Sequence, residues 1–281
     1  MKETLRASLE ATITTLCDSG QLGSLRILAE RVVLDSSRRA EQGDYSSGIC
    51  LKLASVARLS AQEIGEIVLA KLRDDIGTLC SIQLAPPGFL NFKLTQPALL
   101  QILKRIHKAR NSKPCAAQLR SARQALCLLS NRDHLDQQFY SQYTLVYCFR
   151  MLERTQQPVL EQEPEPSRVL PLDELTWSEW LVQFQNDETT FAAVFLDSES
   201  FASARKLVIA LDEADNLLAL RPYARLSFDC RRKAYELALA LHELVSFAPL
   251  FSDDAALLQA RLGIVYATAV LLERLIENSM H

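Results

Sequence analysis

The residues of this chain whose types and spacing suit chemistry are contact residues and not reacting groups. Asn91 and Lys93 stand two apart in Phe89-Leu90-Asn91-Phe92-Lys93-Leu94, an alternating run that puts Phe89, Asn91 and Lys93 on one face and Leu90, Phe92 and Leu94 on the other. An amide can read the edge of a splayed base, an aromatic ring can stack on it, and a lysine can neutralise a phosphate. The alternation leaves Asn91 and Lys93 on the face away from Leu90 and Leu94, and Phe92 is read as core. Lys104, Arg105, Lys108 and Arg110 make the densest basic stripe, which suits a phosphate backbone and suits a solvated helix face equally. Arg38 and Arg39 lie just before Gly43-Asp44-Tyr45 and are further phosphate candidates. The Gly43 to Tyr45 segment reads better as a glycine-permitted turn, with Asp44 capping the helix that follows. Tyr140, Gln142 and Tyr143 set polar and aromatic groups close together further along the chain.

Catalytic and metal chemistry find little support. The histidines are His107, His134, His242 and His281, with no glycine-spaced pair, and the seven cysteines are scattered with no C-x-x-C pair and no His at ligand spacing. A zinc site or disulfide framework is not expected, and no cofactor is. The cysteines read as small buried hydrophobes in a reducing compartment, which implies the cytoplasm. Glu3, Arg6 and Glu10 interrupt any leader-like apolar core, and no segment approaches the run of about 20 apolar residues that a membrane span needs.

The elements that must position these residues are mostly helical. Eight glycines and ten prolines in 281 residues, against abundant Leu, Ala, Glu, Arg and Gln, leave few tight turns. Leu5, Leu9, Ile13 and Leu16 mark an amphipathic opening helix. Residues 27–34 read as a strand entering a loop, and residues 47–57 and 60–72 as helices, the second opened by a Ser60/Glu63 capping box. Residues 81–85 and 89–94 are two strands reversed at Pro86-Pro87-Gly88, and Pro97 opens a helix with Leu99, Leu100, Leu103 and Ile106 on one face. The expected architecture is mainly α, with a small α+β domain over residues 1–112, a linker at 111–114, and a helical bundle over 113–281. Three late helices are expected near 202–220, 223–244 and 252–277. An acidic insert covers about 156–201: an acidic, proline-rich loop at 156–171 precedes Trp177, Trp180, Phe184, Phe191, Phe195 and Phe201, which have mixed spacing.

The formal charge of −3 conceals an asymmetry. Residues 1–110 hold 15 basic and 11 acidic side chains, whereas residues 156–220 hold 3 and 13. A polyanion meeting the front half would find a favourable field, and the acidic stretch would have to face away.

Two front segments resemble the N-terminal additional domain of arginyl-tRNA synthetases. Glu41-Gln42-Gly43-Asp44-Tyr45-Ser46-Ser47, followed by Leu51-Lys52-Leu53-Ala54, is similar to that family's G-D-Y-[AS] segment and its L-A-K helix end. Ala85-Pro86-Pro87-Gly88-Phe89-Leu90-Asn91-Phe92-Lys93-Leu94 is similar to A-x-P-G-[FY]-[IL]-N-F-x-L. The back half resembles the family's DALR anticodon-binding domain through Tyr140, Gln142 and Tyr143, then Arg150 and Leu152, and through Pro249-Leu250-Phe251 and Ala260-Arg261-Leu262. Where that family places aromatics before its C-P-V-L turn, this chain has Leu241, Leu244, Val245 and Ala248, so loss of stacking platforms is expected there. Neither H-x-G-H nor K-M-S-K-S occurs, and about 28 residues separate the two recognisable halves, too few for a nucleotide-binding domain. The resemblance implies a non-catalytic protein that binds tRNA, with tRNA-Arg as the candidate, at the elbow through Asn91 and Lys93, with the anticodon stem, through Tyr140, Gln142 and Tyr143, as a second candidate contact, acting as adaptor or regulator. The alternative is an assembly factor that kept the fold, lost the RNA, and meets a protein partner through the 156–201 segment. Oligomeric state is left open.

Overall fold

A computed structural model of the chain describes residues 1–22, 32–37, 42–108, 137–154, 201–219, 226–247 and 255–279. The described residues form two compact units, Met1–Leu99 and Leu100–His281. They are mostly helical, with one small antiparallel sheet near the N-terminus.

The first unit opens on α1 (Lys2–Asp18), which buries Leu5, Leu9, Ile13 and Leu16 at helical spacing. On its outer face Arg6 joins Glu3 and Glu10, each at 2.8 Å. Strands β1 (Asp35–Ser36) and β2 (Tyr45–Ser47) follow, then the short helix α2 (Ile49–Ala54) and α3 (Ala61–Ile76). The capping box that opens α3 is complete: the Glu63 N–H donates to Ser60 Oγ at 3.2 Å, and the Ser60 N–H donates to Glu63 Oε2 at 2.8 Å. The hairpin strands are β3 (Cys80–Ala85) and β4 (Phe89–Leu94), in a sheet of order β1-β2-β4-β3. Helix α3 lies against the inner side of β3, where an added Cβ at Gly65 would stand 2.4 Å from Leu84 Cδ1. That closeness is what fixes a glycine in the middle of a helix.

The sequence reading missed β2, because three residues carry no measurable alternation and their pairing partner lies 45 residues further on. The expected strand at 27–34 falls largely outside the described residues, and the described strand there is Asp35–Ser36. Helix α2 is shorter than the expected 47–57, since Tyr45–Ser47 is taken by the sheet.

Helix α4 (Gln96–Lys108) spans the division, its residues from Leu100 onward belonging to the second unit. The expected boundary and linker at 111–114 lie outside the described residues, as does the 156–201 segment. The second unit continues with α5 (Gln137–Arg154), α6 (Phe201–Ala219), α7 (Leu226–Phe247) and α8 (Ala255–Ser279). Helices α5, α6 and α8 all pack on α7, and α8 is apolar almost all round, as the central member of a bundle must be. Lys233 of α7 pairs with Glu213 of α6 at 2.8 Å, and Lys206 pairs with Glu243. His107 of α4 is buried and stacks on Tyr266 of α8, centroids 5.4 Å apart; its burial drives the imidazole pKa down to about 4, so it sits in the core as a neutral ring.

The cysteines among the described residues, Cys17, Cys50, Cys80, Cys148 and Cys230, are buried thiols that take part in no disulfide. Burial pushes the Cys50 thiol up to about 11, and burial with the nearby Asp44 charge pushes Cys80 up to about 12, so both are unreactive thiols at neutral pH. Among the described residues no helix is long and apolar enough to cross a membrane.

Loss of the α3 cap is a measurable local effect. The hydrogen bonds from Ser60 hold the Glu63 carboxyl below its ordinary range. A depressed folded-state carboxylate contributes stability above its unfolded pKa and loses it as pH falls through the folded one. Ser60→Ala is therefore expected to lower the melting temperature at pH 7 by about 4–8 °C, the usual result of removing such a cap in a domain of this size. Repeating the melts from pH 7 to pH 3 should narrow the gap between variant and wild type. A gap constant with pH would show that Glu63 does not share in the cap.

Candidate nucleic-acid interface

The exposed face of the sheet depends on a turn that contributes no contact group of its own. Gly43 has φ +79° and sits so close to β4 that an added Cβ would lie 2.6 Å from the Phe92 carbonyl oxygen. The Asp44 N–H donates to that oxygen at 2.7 Å, and the Ser37 N–H donates to the Asp44 carbonyl at 2.9 Å. Asp44 Oδ2 accepts from the Leu94 N–H at 2.6 Å, in a buried position. This corrects the expectation that Asp44 caps the next helix: α2 has Gly48 at its N-cap, and the Asp44 carboxylate instead serves the end of a strand 50 residues away. Tyr45 is fully buried opposite Phe92. The Gly-Asp-Tyr segment is thus a fastening for β4.

Fastened this way, β4 shows one side to the core and one to the surroundings. Leu90, Phe92 and Leu94 are buried, which places Phe92 inside. Phe89 and Lys93 are exposed and Asn91 is half-buried. The register extends this face in three rows: Lys93 opposite Ser81, then Asn91 between Ser46 and Gln83, then Phe89 opposite Ala85. Phe89 is 38% exposed, its ring beside Gly48, where any side chain would crowd it at 3.2 Å. The sequence reading put Phe89 on this face but gave it no role; an aromatic that alternation turns away from the core was the signal available.

The other predicted contacts are placed differently. Arg38 and Arg39 lie outside the described residues. Lys104 is half-buried on α4, and Lys108 is the helix's last residue, its side chain outside the described set. Arg105 is engaged within the protein, Nη2 on Asp212 Oδ1 at 2.7 Å and Nε on Asp215 Oδ2 at 2.9 Å. Gln142 is buried among the helices and takes no part in a surface.

Tyr140 and Tyr143 do share a surface, together with residues the sequence reading did not select. His242 of α7 lies among Tyr140, Tyr143 and Tyr147 of α5, centroids 5.2, 6.2 and 5.7 Å away, with the Tyr143 ring nearly parallel to it. Tyr235 meets Tyr140 edge-on at 5.6 Å. Thr144 Oγ1 donates to the Tyr140 carbonyl at 2.9 Å, leaving its lone pairs for His242 Nε2 at 3.1 Å, which selects the Nε2–H tautomer. Burial holds the His242 pKa below its ordinary value. On α7, Leu241 and Leu244 are core residues, while His242 and the α5 tyrosines make this surface aromatic. Tyr140, Tyr143 and Tyr147 fall at i, i+3 and i+7, a stripe visible in the sequence; nothing local pointed to His242 on another helix.

Residues 2–94 match the family of the arginyl tRNA synthetase N terminal domain. The chain is similar to the arginine–tRNA ligase of Desulfosudis oleivorans, 33% identical over 108 residues, covering 38% of this chain and 19% of the relative. It is similar also to that of Frankia alni, 36% identical over 92 residues, 33% of this chain and 16% of the relative. A third, from Azotobacter vinelandii, is 31% identical over 104 residues, 37% of this chain and 17% of the relative. The chain thus spans about a fifth of the length of the curated relatives it matches. The likeness covers the N-terminal domain of those enzymes and not their catalytic region.

Proposed function

We propose that this chain, whose front unit is of the arginyl tRNA synthetase N terminal domain type, is a non-catalytic, cytoplasmic tRNA-binding protein that acts as adaptor or regulator. It holds the tRNA elbow on the exposed sheet face through Asn91, Lys93 and Phe89. The observation that carries this reading is the sorting of β4: its apolar side chains fill the core, while a ring, an amide and an ammonium remain together on the outer face. Those three groups match the three things an unpaired nucleotide offers, a π-face, a hydrogen-bonding edge and a phosphate. The helical second unit is read as a DALR-type anticodon-binding bundle, with Tyr140, Tyr143 and His242 as its aromatic surface.

Filter binding of the full chain to a tRNA-Arg transcript, at about 50 mM and about 200 mM salt, tests this, because phosphate contacts weaken steeply over that range. The Asn91→Ala/Lys93→Ala double variant is expected to bind about tenfold or more weakly at the lower salt, and Lys93→Ala alone to reduce the log–log salt slope by about 1. Absence of binding by the wild type at low salt, or an unchanged affinity in the double variant, overturns the assignment.

A further inference from the structure

We infer that Gln83 is a second base-reading residue of this face, acting with Asn91 to select the identity of one unpaired nucleobase. The inference rests on the tRNA reading above and specifies which residues discriminate among nucleotides. Its basis is the register. Asp35 pairs with Ser46, Ser46 with Asn91, and Asn91 with Gln83, so a single polar row crosses all four strands. Side chains directly opposite each other in an antiparallel pair have Cβ atoms about 4.5–5.5 Å apart. The two amides are therefore neighbours, each with a donor and an acceptor. One amide can satisfy two positions on a base edge; two side by side can satisfy two and test a third, which is what discrimination among four bases requires.

The rows on either side fit the same nucleotide. One step along the strands Lys93 faces Ser81, a place for phosphate; one step the other way Phe89 faces Ala85, whose single methyl does not crowd the ring. Consecutive rows lie about 6.8 Å apart, so phosphate, edge and ring are met in order along β4. Asp35 ends the polar row on the far side, at an exposed position, and its carboxylate repels phosphate from that edge. The RNA backbone is accordingly directed along the β3–β4 side, which brings the base edge over Gln83. Gln83 is exposed on the outermost strand, where it supports no core packing.

The test uses the full chain and tRNA transcripts carrying A, C, G or U at each unpaired elbow-loop nucleotide in turn. The wild type is expected to prefer one nucleotide at one position by about tenfold, the size of a single good edge contact. Gln83→Leu should bring that preference within about threefold while leaving affinity for the disfavoured transcripts nearly unchanged. Gln83→Glu, which keeps the length and replaces the amide donor with an acceptor, should re-rank the four nucleotides. If the wild type binds no transcript, the tRNA reading itself fails and this inference with it. If it binds without preference, if the preference survives both Gln83 variants, or if both weaken all four nucleotides alike, the tRNA reading stands and Gln83 is not a base reader.

Discussion

Gly43→Ala is expected to destabilise the first unit by about 3–5 kcal/mol, a large part of what a domain of this size has to lose. Three effects add. An alanine at φ +79° costs about 1–2 kcal/mol on backbone grounds alone. Its Cβ would stand 2.6 Å from the carbonyl oxygen and 3.0 Å from the carbonyl carbon of Phe92, and both belong to a strand backbone that no rotamer change can move aside. Relief requires β2 and β4 to part, which weakens the Asp44 N–H bond to Phe92 and the Leu94 N–H bond to the Asp44 carboxylate, the second of them buried. A buried group left unsatisfied costs about 1–3 kcal/mol. Gly20→Ala is the control, because Gly20 has the same φ of +79° and nothing within 4 Å of its missing Cβ. In thermal unfolding the Gly43 variant should melt at least about 12 °C below wild type and the Gly20 variant only about 4–8 °C below. Equal shifts in the two would mean that the close approach to Phe92 is harmless. Because the same contacts aim β4, the Gly43 variant should also lose tRNA affinity at temperatures where it remains folded.

What could be read from the sequence follows how far each cause reaches along the chain. The β3–β4 hairpin was legible because its alternation and its Pro86-Pro87-Gly88 reversal lie within 15 residues. Helix α3 was legible because its cap closes over three residues. The candidate face followed from the same alternation, and with it the inward Phe92 and the outward Asn91 and Lys93. What escaped was non-local. Asp44 looked like a helix cap because a helix lies just ahead of it, while its real partner, the Leu94 N–H, comes into reach only after the sheet assembles. Gln83 looked like any polar strand residue until the register set it beside Asn91. His242 became part of a tyrosine cluster only through the packing of α5 on α7. Arg105 belonged by spacing to a basic stripe, and the carboxylates that occupy it lie on a helix more than 100 residues later.

Arg105→Ala is expected to cost the second unit about 2–4 kcal/mol while leaving RNA affinity almost untouched, and the pairing of these two results is what gives the experiment its force. Asp212 is fully buried, so its carboxylate needs the guanidinium that lies 2.7 Å away; Asp215, partly exposed, takes the other prong of the fork at 2.9 Å. Burial works against the Arg105 charge, but the hydrogen bond and charge of Asp212, then those of Asp215, outweigh it and raise the pKa. Removing one partner of a buried pair typically costs about 3–5 kcal/mol, and the lower figure here allows for solvent at Arg105, whose side chain is 42% exposed. Arg105→Lys should recover only part of the loss, since a single ammonium cannot span two carboxylates in the way a planar fork does. Replacing Arg105 and Asp212 together with leucine should recover more than either single change predicts, because no buried charge is left without its counterion. Urea unfolding of the wild type, Arg105→Leu, Asp212→Leu and the double leucine variant measures the cycle. A salt titration of tRNA binding then separates structure from recognition: a phosphate contact at Arg105 would lower the log–log slope by about 1 when removed, whereas a guanidinium held by two aspartates changes the slope little. A stable Arg105→Ala protein with a reduced slope would add Arg105 to the proposed RNA contacts and show that its two aspartates are incidental neighbours.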